Sequence, residues 1–146
     1  MSRTALYLLD TNILAHCVRE DSTWSEIRDS YQLYLVEPTP IISIVTAGEL
    51  RSLALQFKWG NAKLDRMEFA LGYFDEMPIE SRKLVDAYSK IDAYTQSIGQ
   101  TMGKNDLWIA ATAVIFDARL LTTDRDFDRL DPLFLTRDWI EIETRS

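Results

Sequence analysis

The chain has one cysteine, Cys17, and one histidine, His16, in 146 residues. A single thiol excludes an intrachain disulfide and leaves a Cys-based zinc site without a second thiolate, so a reducing compartment is expected. Cys17 is read as a small buried hydrophobe, and His16, lacking a second imidazole or a paired nucleophile, as a helix residue rather than a catalytic base. Long hydrophobic runs are missing too. The longest early one, Ala5 to Leu9, ends at Asp10, far short of a signal-peptide core or a membrane span; no membrane association and a cytoplasmic location are expected. Glycine (5) and proline (4) are sparse and stand singly, so no linker or repeat divides the chain, and one domain over residues 1–146 is expected. Positive charge is in deficit: 16 Lys and Arg against 23 Asp and Glu give a net charge of −7, which taken alone argues against a nucleic-acid partner. Disorder is excluded by the 47% of hydrophobic residues.

What is present is an alternation of short apolar runs with helical patterns. Ala5–Leu9, Ile41–Val45 and Arg119–Thr123 have the continuous apolar character of strands buried on both faces of a parallel sheet. Met77–Ile79 is expected as a brief edge strand and Trp139–Ile142 as a last strand. Thr23 with Glu26 three residues on has capping-box spacing and predicts a helix whose buried stripe is Ile27, Tyr31 and Leu35, ending before Pro38. Leu50, Leu53, Ala54 and Phe57, then Leu64, Met67, Leu71 and Phe74, predict a helical hairpin broken at Trp59-Gly60-Asn61. Helices over 81–98 and 106–116 follow. The class is α/β, a sandwich around a central parallel sheet.

Four carboxylates stand out by position. Asp10 and Asp124 each follow directly on an apolar strand, and ligands collect at the carboxyl ends of parallel strands. Asp106 heads the apolar stripe Ile109, Ala110 and Ala113 of its own helix; Asn105, one position earlier, is an equally good cap. Glu49 sits at the edge of the buried face carrying Leu50 and Leu53. Arg51, turned roughly 200° around that helix, is not placed to neutralise it. Helix capping is the competing reading for Asp10, and a solvated helix surface for Glu49. If the four converge, each pair about 6 Å apart costs roughly 3 kcal/mol at an effective dielectric near 20, so the cluster needs a cation. Oxygen-only ligation suits Mg²⁺ or Mn²⁺, and a pair of such ions suits in-line displacement at phosphorus. The run Asp124-Arg125-Asp126-Phe127-Asp128 has the start of a calcium loop but carries Arg129 where that loop needs Gly; Asp126 is assigned a supporting role.

The segments Leu8-Leu9-Asp10-Thr11-Asn12, Glu49, Asn105-Asp106-Leu107-Trp108-Ile109-Ala110-Ala111 and Thr122-Thr123-Asp124-Arg125-Asp126-Phe127, in that order, resemble the PIN-domain family, especially its VapC-type toxin ribonucleases. The resemblance covers essentially the whole chain. It implies a PIN-like three-layer α/β/α sandwich forming one nuclease domain that cleaves RNA with Mg or Mn, is commonly a homodimer, and is silenced by a cognate antitoxin protein. The family's acidic quartet carries over to Asp10, Glu49, Asp106 and Asp124, with Thr11 and Asn12 in support. Many relatives have Asn where this chain has Asp124 or Asp126, and Asp124 is preferred here as the fourth acid because it ends the strand.

An RNA substrate must meet a chain of negative net charge. Between residues 51 and 66, Arg51, Lys58, Lys63 and Arg66 face one acid, Asp65, with Phe57 and Trp59 interleaved. Lys58, Lys63 and Arg66 are accordingly candidate phosphate contacts, against the alternative of a solvated hairpin whose aromatics meet a partner. Two other functions compete: a catalytically silent PIN-like adaptor binding a partner through the hairpin, and an aspartyl-phosphate receiver. The intact acidic quartet speaks against the first. Thr11 and Asn12, standing where a receiver carries adjacent acids, speak against the second.

Overall fold

Five strands of three or four residues pair side by side, all parallel, in the order β3-β2-β1-β4-β5. The computed structural model of the chain describes residues 5–142. In chain order the elements are β1 (Tyr7–Leu9), α1 (Thr11–Arg19), α2 (Ser22–Tyr31), β2 (Ile41–Ser43), α3 (Ile44–Gln56), α4 (Asn61–Tyr73), β3 (Asp75–Met77), α5 (Arg82–Ser97), α6 (Lys104–Ile115), β4 (Arg119–Thr122), a short 3₁₀ helix over Arg125–Leu130, and β5 (Thr136–Trp139). Because side chains alternate along a strand, each face of the sheet takes its own set. Leu9, Ile42 and Leu121 pack with α1 to α4 on one side. Leu8, Ile41 and Leu120 pack with α5, α6 and Phe127 of the 3₁₀ helix on the other. The result is the three-layer α/β/α sandwich expected from the sequence. No helix among the described residues is long and apolar enough to cross a membrane.

The strand order has a mechanical consequence. From β1 the chain moves outward through β2 to β3, then returns to the opposite side of β1 for β4 and β5, so the order reverses between β1 and β4. A crevice forms at such a reversal, outside the carboxyl ends of the strands. Asp10 and Asp124 follow the two strands that flank it.

Several boundaries differ from the sequence reading, each for a local reason. The second helix is capped by Asp21, whose Oδ1 accepts from the Trp24 amide at 3.0 Å, rather than by Thr23, which is buried. It ends at Tyr31 because Gln32 turns into the left-handed region (φ 53°). Ile27 is therefore core and Tyr31 partly buried, but Leu35 lies beyond the helix and is 76% exposed. The second strand stops at Ser43, whose hydroxyl accepts from the Val45 amide and starts α3 without a loop. Phe57 likewise falls outside the buried stripe, one residue past α3, at 69% exposure. The edge strand begins at Asp75, not Met77, and the last strand spans Thr136–Trp139 rather than 139–142. Gly103, not Asn105, occupies the cap position of α6.

Candidate active site

Two of the site's acids stand where a strand runs into a helix, and two more come from the early turns of α3 and α6. Asp10 sits between β1 and α1, where its carboxylate is 3% exposed. It does cap α1: Oδ1 accepts from the Thr11 amide at 2.8 Å. Its second oxygen, Oδ2, accepts from the Thr122 hydroxyl at 2.7 Å. Thr122 ends β4, and its Oγ1 also accepts from the Asp124 amide at 2.9 Å, so one hydroxyl ties the two strand ends together. Asp124 in turn caps the 3₁₀ helix by accepting from the Asp126 amide at 2.8 Å. Capping and site formation are thus compatible at both positions, since a cap uses one lone pair of a carboxylate that has several.

Glu49 reaches the same place from the second turn of α3. Its Oε1 accepts from the Thr11 hydroxyl at 2.7 Å, and that hydroxyl lies 3.0 Å from Thr46 Oγ1. With its own proton committed to Glu49, Thr11 must accept from Thr46, a buried residue one turn earlier on α3. Arg51 is turned away, as expected, and forms a two-pronged pair with Glu68 on α4. Asn12 accepts from the Thr123 amide at 3.4 Å, bracing the β4 end against α1.

Asp106 enters from the first turn of α6. One carboxylate oxygen each of Asp106, Asp124 and Asp126 lie within 4.8 Å of one another. Burial, followed by the charges of Asp10, Asp124, Glu49 and Asp126, raises the Asp106 carboxyl from 3.8 to about 7. Burial also dominates at Asp10, which is raised to about 6; the hydrogen bonds from Thr122 and Thr11 oppose the rise, and Asp124 and Glu49 add to it. All five acids therefore share one electrostatic neighbourhood. Among the described residues no ion pair involves Asp10, Glu49, Asp106 or Asp124. Only Asp126 has a basic neighbour, Arg129, at 3.6 Å, and Arg129 also donates to the carbonyl of Gln100 in the loop before α6. Asp126, like Asp124, brings a carboxylate oxygen within 4.8 Å of Asp106. The sequence prefers Asp124 as the fourth acid and gives Asp126 a supporting role; the structure brings both to Asp106.

The basic candidates lie elsewhere. Arg66 donates from Nε to the Val18 carbonyl at 2.6 Å and faces Glu20, at the carboxyl end of α1. Val18 is eight positions on from Asp10, about 12 Å along the helix from the acids. Lys63 lies over the Trp59 ring, 5.8 Å from its centroid, and Lys58 takes a left-handed conformation (φ 51°) in the hairpin turn. None of the three joins the acidic cluster. His16 and Cys17 have structural surroundings: His16 Nδ1 is 2.6 Å from Asp21, and burial pushes the Cys17 thiol up to about 11. Thr122, Thr46 and Arg129 were not anticipated, because their partners are remote in sequence or carry no distinctive spacing.

The chain belongs to the PIN domain family, whose model matches residues 7–133. No curated protein matches it by sequence. Among solved structures, it is similar to VapBC2 from Rickettsia felis bound to a promoter DNA fragment, with 21% identity, 93% of this chain and 99% of that chain covered, and a TM-score of 0.78. It is also similar to VapBC-1 from nontypeable Haemophilus influenzae, with 25% identity, 92% and 97% coverage, and a TM-score of 0.71. VapBC-5 from Mycobacterium tuberculosis, a member of the VapBC family of toxin-antitoxin systems, aligns at 21% identity, 94% and 99% coverage and a TM-score of 0.67.

Proposed function

We propose that the protein is a divalent-metal-dependent endoribonuclease that serves as the toxin of a toxin-antitoxin pair and is held in check by a cognate antitoxin protein. The observation that carries this reading is the gathering of Asp106, Asp124 and Asp126 within 4.8 Å, with Asp10 and Glu49 as electrostatic neighbours and no ion pair on four of the five. Uncompensated like charges in a partly buried crevice are unfavourable unless a cation joins them. An all-oxygen donor set fits Mg²⁺ or Mn²⁺, with Asp10, Asp106, Asp124 and Glu49 as its holders and Asp126 sharing the place of Asp124. Such an ion, when held there, would supply charge neutralisation of the phosphate and a lowered pKa for water.

The chain's own residues do the rest. Thr122 fixes Asp10 and the Asp124 backbone in register, so the two strand ends present carboxylate oxygens to the same space. Thr11 fixes Glu49 through Oε1, leaving Oε2 turned to the place the ion would take. Water attacks phosphorus and the P–O3′ bond breaks; the water's proton passes to bulk solvent and O3′ takes one from it, leaving 5′-phosphate and 3′-hydroxyl ends. Lys58 and Lys63 act as outer electrostatic contacts for the RNA backbone, and Arg66 holds the hairpin to α1. One further part of the reading, an antitoxin partner, rests on the VapBC relatives; a second copy of the chain in the working assembly rests on the family resemblance alone.

The test is cleavage of a mixed-sequence RNA in Mg²⁺ or Mn²⁺ by the protein and by Asp106→Asn. Cleavage that needs the metal and is lost in the variant is expected; equal cleavage by both would refute the reading. Growth arrest on expression, relieved by a co-expressed antitoxin, tests the biological role.

A further inference from the structure

We infer that the groove beside the acidic cluster, between α3 and the start of α6, is a nucleobase pocket that reads the nucleotide next to the scissile phosphate. The inference rests on the nuclease reading above and adds the element that selects among RNA sequences.

The groove is a cavity of about 520 Å³, within the size range of ligand sites. Thr11, Glu49 and Asn105 line it, so it opens directly onto the residues that hold the catalytic carboxylates. Its chemistry suits a flat, uncharged, hydrogen-bonding group. Val45 and Leu53, both half-buried, supply an apolar surface. No Lys or Arg lines it, and the charged residue that does, Glu49, repels a second phosphate. The uncharged polar groups are the amides of Gln56 and Asn105 and the hydroxyls of Thr11 and Ser52: Gln56 Nε2 donates to Ser52 Oγ at 2.8 Å, which orients the Gln56 amide and leaves its carbonyl and second N–H for another partner. Among the described residues the Asn105 side-chain amide has no hydrogen-bond partner. Amide side chains read base edges, and single-stranded RNA presents those edges unpaired.

Gly48 gives the test. It lies in the groove wall, and a Cβ built there meets nothing within 4 Å, so a side chain can be added at this position without a backbone clash. Replacing a helical glycine also favours the helix, so Gly48→Leu is expected to fold with an unchanged or higher melting temperature.

The experiment sequences the cleavage sites of a randomised single-stranded RNA in Mn²⁺. The wild type is expected to prefer certain bases at one position flanking the cut by about 10-fold or more. Gln56→Ala should flatten that preference while cleavage continues, and Gly48→Leu should abolish it and slow cleavage. A wild-type profile without preference beside the cut, or a profile unchanged in Gly48→Leu, overturns the pocket and leaves the nuclease reading standing. A Gly48→Leu protein whose oligomeric state changes in sedimentation also overturns it, because the groove then belongs to a contact between copies. If the wild type cleaves no RNA, the nuclease reading fails on its own. The pocket is then judged by RNA binding to Asp10→Asn: base-dependent binding that Gly48→Leu removes supports it, and binding indifferent to both refutes it.

Discussion

Asp10 and Asp138 lie two strands apart in the same sheet, and the fold treats them in opposite ways. Asp138, on β5, has both oxygens engaged by strong donors: the Tyr31 phenol at 2.8 Å and the Arg119 guanidinium at 2.8 Å. A cation neutralises it and the arrangement is complete. Asp10, after β1, receives a hydroxyl and an amide but no cation, and its nearest charged neighbours are other carboxylates. Other acids outside the crevice share the Asp138 pattern, with Arg51 on Glu68 and Arg137 on Asp128. Among the described residues, in the crevice between β1 and β4, Asp10, Glu49, Asp106 and Asp124 have no arginine partner, and only Asp126, at its edge, has one in Arg129. An acid with an internal partner stabilises the fold, whereas acids without one are available to something from outside.

That contrast sets the expected sizes of the effects of substitution. Asp10→Asn keeps the shape of the side chain and removes its charge, so metal-dependent RNA cleavage should fall by about 10²- to 10³-fold or more in single-turnover assays. The same substitution changes the pH dependence of stability. Burial makes the folded Asp10 carboxyl hold its proton more tightly than the unfolded chain does, with the value rising from 3.8 to about 6. Below pH 4 both states are protonated and no penalty exists. Between pH 4 and 6 the metal-free folded state loses roughly 3 kcal/mol from this group as pH rises, and above that the loss is constant. Denaturant titrations from pH 4 to 8 in a chelator should show that slope in the wild type and a shallower one in Asp10→Asn.

Thr122→Val removes the donor to a buried carboxylate and the acceptor for the Asp124 amide, so about 2 kcal/mol of stability should be lost at neutral pH, together with cleavage. Asp138→Asn sharpens the comparison from the other side. It should reduce stability by about 1 kcal/mol and leave the response to metal and the rate of cleavage untouched. Arg51→Ala, in an exposed pair on the helix that also carries Glu49, should change stability by about 0.5 kcal/mol or less and leave cleavage unaltered. An Arg51 effect as large as that of Asp10 would mean that the two classes of carboxylate are not distinct.

Much of this division is legible in the amino-acid order. An apolar run that stops at an aspartate places Asp10 and Asp124 at strand ends, and the apolar stripe under Asp106 points it inward, because burial periodicity is a local property. The hairpin over Leu50 to Phe74 and its break at Gly60 are legible for the same reason. What stays hidden depends on contacts across long separations. The Thr122 hydroxyl meets Asp10 across 112 positions, and no spacing rule announces it. Arg66 reads as part of a basic patch until its guanidinium is seen at the end of α1. Leu35 fits a helical stripe on paper, yet one left-handed residue at Gln32 ends the helix and turns the leucine outward. Asp126 was ranked below Asp124 because it does not end a strand; the tight 3₁₀ turn after Asp124 brings it back to the same crevice.

Crystals soaked in Mn²⁺, with diffraction recorded at the manganese absorption edge, give the most direct evidence. The account predicts an anomalous peak bonded to Asp106 and to at least one of Asp10, Asp124 and Asp126, absent from crystals of Asp106→Asn. A map in which manganese binds only elsewhere on the surface, or nowhere, with these carboxylates turned apart, would contradict it.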